Sequence, residues 1–321
     1  MKISHTFIAF LLLIGVIMGI LTASLYQGGL LHVLLVILSL PLILFNIFAV
    51  FREHQSVFVM NAKALKDVTY SRSSFSVFMA VLGGGLLTTG IAQVGFINVV
   101  VASALVGLIG GLFLKSHQVP IYCGSFVGMA AHTSINGWMG MVIAGSVAGI
   151  VFLLAGQVFN GYGGKLGAIA LLGTFAAGIA SGNSHLIFVN GTAQWSWFLT
   201  LSVLFGGLAT YWIQKQYQMG VVISSALVGL LMGMLMPTLW GPIGTTGAVA
   251  GFCGSFVGMS AKDRLPSAKE LTIACVFAAF LFQFTSFSFI GLGGKLGAIA
   301  FVSSMGTHGL FQILGSLKSS G

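Results

Sequence analysis

The feature that most constrains this chain is that it contains itself twice. Residues Cys123 to Met129 read CGSFVGM and recur unchanged as Cys253 to Met259, an offset of 130 residues. Gly163 to Ala170, GGKLGAIA, recur as Gly293 to Ala300 at the same offset. Upstream the offset is 122. Ser103 to Leu108 match Ser225 to Leu230, and Gly84, Gly85, Leu86 and Thr88 match Gly206, Gly207, Leu208 and Thr210. The second copy therefore carries extra residues, placed near Pro237 to Thr246. Four collinear matches define two repeats, residues 75–182 and 196–314.

Each copy is too apolar for water. Charged residues make up 5% of the chain, where a soluble domain has about 25%. So few charges cannot coat a soluble sphere, and so much apolar surface excludes disorder. The chain reads as an all-α polytopic membrane protein. A membrane helix needs about 20 apolar residues. That ruler gives spans at 6–26, 30–51, 75–93, 95–114, 138–158, 164–182, 196–213, 219–237, 271–290 and 294–314. The stretches 118–135 and 243–261 either cross or re-enter. Residues 1–52 form an N-terminal helix pair and 53–74 a basic linker with Lys63, Lys66 and Arg72. Residues 183–195 connect the repeats, and 315–321 form a tail. The N-terminal run reads as a retained helix rather than a signal peptide, because a second apolar run follows at once.

The few charges indicate orientation. Arg72 precedes the first copy where Gln194 precedes the second. Gln93 matches Lys215, and Lys115 matches Pro237. His132-Thr133-Ser134 matches Lys262-Asp263-Arg264, and Met139-Gly140 matches Lys269-Glu270. At each span end one copy is basic and the other is not. The positive-inside rule accounts for this if the copies enter the membrane in opposite senses. The expectation is about 12 helices, a pair plus an inverted five-plus-five repeat, with both termini cytoplasmic, in a bacterial inner membrane. That count requires both ambiguous stretches to cross.

Composition and motifs also exclude functions. The four acids, Glu53, Asp67, Asp263 and Glu270, all lie between apolar runs, so no carboxylate dyad or carboxylate metal cluster forms within a span. There is no Walker A sequence, no H-E-x-x-H and no potassium-filter motif. Cys123, Cys253 and Cys275 form no C-x-x-C pair. The excess of 13 Lys+Arg over 4 Asp+Glu includes no run that suits nucleic acid. No enzyme activity and no cofactor are expected.

Two motifs are candidate sites. Lys165 and Lys295 escape the charge swap, being kept in both copies. Each follows a glycine pair, Gly163-Gly164 or Gly293-Gly294, and opens a helix. Free amides there, with an ammonium, favour an anion. The competing explanation is that each lysine snorkels to its interface while the glycines pack helices. In the second motif, Gly124 and Gly128, like Gly254 and Gly258, make G-x-x-x-G. Ser125 and Ser255 can hydrogen-bond a solute, and Phe126 and Phe256 can narrow a path. Simple packing is again the alternative.

Inverted repeats build sites that face either side of a membrane. The expected function is a carrier for a small solute, an anion or a polar neutral molecule, at the repeat interface. A passive channel for a neutral solute is the first alternative. A non-transporting protein that binds lipid or a partner subunit is the second. The expected partners are the solute and the bilayer, with a homo-oligomer compatible with the sequence.

Overall fold

The computed structural model describes residues 5–26, 41–53, 72–95, 97–183 and 194–319. Among these every regular element is helical. In chain order they are α1 (His5–Tyr26), α2 (41–53), α3 (Arg72–Gln93), α4 (Val99–Phe113), α5 (Gln118–Val127) and α6 (His132–Ile135). Then come α7 (Gly137–Leu154), α8 (Lys165–Ala180), α9 (Trp197–Tyr217), α10 (Val221–Val257), α11 (Ala268–Phe284) and α12 (Lys295–Ser319). Part of the expected span 30–51, most of the linker 53–74, and His185 in the inter-repeat connection lie outside the described residues.

The helices mark an integral membrane protein. Six of those described are long and apolar enough to cross a membrane alone, namely α1, α3, α7, α9, α10 and α12. The shortfall from the expected twelve has physical causes. α4 and α8, with 15 and 16 residues, are shorter than a full crossing. α5 has 10 residues, about 15 Å at helical rise, so the stretch 118–135 does not cross as one helix. α10 runs for 37 residues only because two helices meet in it. Gly241 has φ 57° and ψ −135°, flanked by Pro237 and Pro242, and the chain folds back there. Ser225 Oγ lies 2.9 Å from Ser255 Oγ, and a Cβ on Gly247 would meet Met236 Cε at 2.9 Å. The two arms, α10a (221–240) and α10b (242–257), are antiparallel. The break falls where the sequence places the extra residues of the second copy.

Glycine contacts give the direction of each helix. α3 and α5 are parallel, with Gly85 on Gly124 and Gly128 on Thr88. α4 opposes α5, with Gly110 on Ile121 and Ser103 Oγ 2.9 Å from Ser125 Oγ. α7 opposes α3, with Gly145 on Leu82 and Gly149 on Phe78. α8 turns back along α7, with Gly173 on Ala148. The second copy repeats this with α9, α10a, α10b, α11 and α12. Gly207 lies on Gly254, Gly258 on Thr210, and Gln283 bonds Thr200 at 3.2 Å.

Contacts between the copies are reciprocal, as in a two-fold dimer interface. Gly111 faces Ile223, and Gly233 faces Val101. Gly164 faces Phe301 N, and Gly294 faces Leu171 N, with Gly167 and Gly297 meeting between them. Both equivalent pairs, α4 with α10a and α8 with α12, therefore run antiparallel. At the meeting point a Cβ on Gly297 would lie 2.6 Å from Gly167 Cα. Only two glycines let the backbones approach so closely.

The N-terminal helices pack on both copies. Phe10 of α1 stacks on Phe159 at 5.2 Å, and Gly19 faces Phe289. Gly306 and Gly309 of α12 face Asn46 and Ala49 of α2.

Candidate functional site

The GGK motifs sit where two partly buried turns, residues 155–164 and 285–294, reverse the chain between α7 and α8 and between α11 and α12. The turns have matching backbones. Positive φ occurs at Phe159 (52°) and Phe289 (54°), at Gly161 and Gly291, and at Gly164 and Gly294. Two phenylalanines in the left-handed region carry strain, of order 1–3 kcal/mol each, that only surrounding packing can hold. Each turn docks on the other copy. Ala261 N donates to Gly161 O at 2.8 Å, and Ala131 N to Gly291 O at 2.8 Å. A Cβ on Gly163 would meet Ser260 Oγ at 2.6 Å; one on Gly293 would meet Val127 O at 2.7 Å. Gly163 and Gly293 are thus where a turn of one copy touches the CGSFVGM helix of the other, while Gly164 and Gly294 meet the other copy's α12 and α8.

The lysines take up carbonyls at helix C-termini. Lys165 Nζ donates to Ala155 O at 2.7 Å and to Asn160 Oδ1 at 2.8 Å. Lys295 Nζ donates to Thr285 O at 2.6 Å, Ser288 O at 2.7 Å and Ser286 O at 3.3 Å. Ala155 and Thr285 cap α7 and α11, so each ammonium sits at the negative end of a helix dipole. Neither lysine snorkels away; both are held back over the turn.

Phe126 and Phe256 meet across the copies, ring centroids 4.5 Å apart and planes tilted by 49°. Tyr122 and Phe252 flank them, at 6.3 Å from Phe256 and 6.2 Å from Phe126. These four rings form a plug at the junction of the repeats. Ser125 and Ser255 point away from it. Both are fully buried, and each bonds a helix neighbour, Ser125 with Ser103 and Ser255 with Ser225. Their hydroxyls line neither of the cavities described next. Tyr122 OH reaches Ser225 Oγ at 2.9 Å, a bond that Phe252 cannot repeat.

A cavity of about 580 Å³ adjoins the first turn, lined by Asn160, Gly163, Gly164, Lys165, Gln214 and Lys262 among others. A second, of about 280 Å³, adjoins the other turn and includes Ser286, Phe289, Gly294 and Lys295. Phe126 and Phe256 line both. Among the described residues no acid lines either.

One cluster escaped the sequence reading. Arg264 bonds Glu53 (3.3 Å), stacks 4.4 Å over the Tyr162 ring, and donates from Nε to Asn160 O at 3.0 Å. His308 Nδ1 lies 2.8 Å from Arg264 O. Arg264 was legible only as an orientation charge, because its partners lie 104 and 211 residues away. His132, its counterpart Lys262 and the buried cysteines add no metal-binding cluster; none occurs among the described residues.

No protein-family model, curated protein or solved structure matches this chain.

Proposed function

We propose that the protein carries a small solute across a bacterial inner membrane, along a path from one cavity to the other through the Phe126–Phe256 junction. The observation that carries this reading is the pair of cavities. Each is built by one copy's turn against the other copy's helix, and the same two rings close both. Antiparallel contact between equivalent helices supports an inverted five-plus-five arrangement, because a two-fold relating antiparallel helices lies perpendicular to them. In a membrane, that axis lies in the plane and the two cavities open to opposite faces.

Charge supports an orientation. The ends where α4, α9 and α12 finish and α11 begins carry Lys115, Lys215, Lys262, Arg264, Lys269 and Lys318. The opposite ends carry Trp138, Trp195, Trp197 and Trp240. Basic residues inside and interfacial tryptophans fit the membrane pattern. On this reading the Lys165 cavity faces the cytoplasm, the Lys295 cavity faces outward, and both termini are cytoplasmic.

Both cavities are present at once and share Phe126 and Phe256 in their walls. That observation favours a second reading, a gated channel. Solute flux into proteoliposomes tests the path. Phe126→Ala with Phe256→Ala should raise flux at least tenfold, and counterflow in the wild type identifies a carrier. Unchanged flux in the double variant refutes the path.

A further inference from the structure

From the two lysines' unequal bonding we infer that the cavity beside Lys165 is a binding site for a small monovalent anion, and that Lys165 alone of the pair holds it. This deepens the transport reading and rests on it.

An ammonium has three donors. Lys295 spends all three on the carbonyls of Thr285, Ser286 and Ser288. Lys165 spends two, on Ala155 O and Asn160 Oδ1, and lines the larger cavity. The sequence at 155–160 explains the difference. Asn160 stands where the second turn has Ile290 and gives Lys165 a side-chain oxygen, whereas Lys295 takes the main-chain carbonyls of Ser286 and Ser288. The motif is the same in both copies, but only one ammonium has a donor left for a ligand.

Among the described residues no acid lines the cavity of Lys165. The lysine's bonded partners are a carbonyl and an amide, both neutral. Glu53, whose charge reaches Lys165 from the neighbouring cluster, is held by Arg264 at 3.3 Å and does not line the cavity. A charge in a low-dielectric interior is costly without a counter-charge. A cavity with room for a solute beside such a charge supplies a place for one. Lys262, at the same cavity, raises the local anion concentration.

The walls set the valence. Phe126, Phe152, Leu166, Ile169, Val222 and Phe256 are apolar, and the exit runs between two aromatic rings. An anion that gives up water easily and carries one charge matches the one ammonium held inside the cavity, since Lys262 is exposed. A divalent anion would leave a net negative charge among apolar groups.

The test uses full-length protein in liposomes, with nitrate, sulfate and urea as probes and a potassium diffusion potential as the drive. Nitrate should pass at least tenfold faster than sulfate. Lys165→Met should cut nitrate flux at least tenfold, and Lys165→Arg should keep it within threefold. Nitrate should also raise the wild-type Tm above that in sulfate of equal ionic strength, a reading that does not depend on the variant folding. Equal nitrate flux in Lys165→Met overturns the site. Urea flux without nitrate flux overturns the anion while leaving transport intact. A folded protein that passes none of the three overturns both.

Discussion

Gly297→Ala probes the contact on which the two-copy arrangement turns. The new Cβ would lie 2.6 Å from Gly167 Cα, 3.0 Å from Gly167 N and 3.1 Å from Gly164 O. Carbon atoms rest at about 3.5–4.0 Å, so α8 and α12 must separate by about 1 Å. All three opposing atoms are backbone, and no side chain can turn aside. Overpacking of this kind costs about 1–3 kcal/mol, and loss of close contact along the helix pair puts this case near the upper end. Gly167→Ala should cost a similar amount, because it attacks the same contact from the other copy. The two together should cost less than their sum, by at least about 1 kcal/mol, since the helices need to separate only once. Denaturant titration of the purified protein in mild detergent measures all three variants. Two small losses that simply add would show that α8 and α12 do not meet at these glycines.

Other outcomes follow from neighbouring contacts. Lys295→Met strands three carbonyls where Lys165→Met strands one carbonyl and one amide, at about 1–3 kcal/mol per buried group. The Tm loss should therefore be larger for Lys295→Met. Arg264→Gln removes the guanidinium that joins Glu53, Tyr162 and Asn160, and should cost about 3 kcal/mol, whereas Asp263→Asn, an exposed neighbour, should leave Tm unchanged. Gly163→Ala should destabilise because Ser260 Oγ and Val257 O, 2.6 and 2.9 Å from the new Cβ, leave it no room. Thermal melts compare all of these.

Helix positions were largely legible in the sequence, because apolar length and the repeat offsets are one-dimensional signals. α8 and α12 begin at the repeated lysines, and α10 breaks inside the segment where the second copy has extra residues. Other features depended on contacts distant in sequence. The ten-residue α5 was ambiguous because its glycines serve packing on Val81 and Thr88 of α3, which no local pattern records. Ser125 and Ser255 looked like solute ligands because a hydroxyl in an apolar run has no visible partner. The partners, Ser103 and Ser225, lie on the preceding helices. The lysine motif was seen, but its capping bonds were not, since the turn that offers the carbonyls is defined by φ at Phe159 and Phe289. The Glu53–Arg264 pair joins the N-terminal helices to the second copy, and charge alone could not match those two residues.

The central claim is that the two turns face opposite sides of one membrane. Asn160 and Ile290 are equivalent positions, both exposed to their cavities, and the native cysteines are buried. Asn160→Cys and Ile290→Cys can therefore be labelled in the native background with a membrane-impermeant maleimide. In right-side-out vesicles Ile290→Cys should react and Asn160→Cys should not, with the pattern reversed in inside-out vesicles. Reaction of both from the same side would contradict the account.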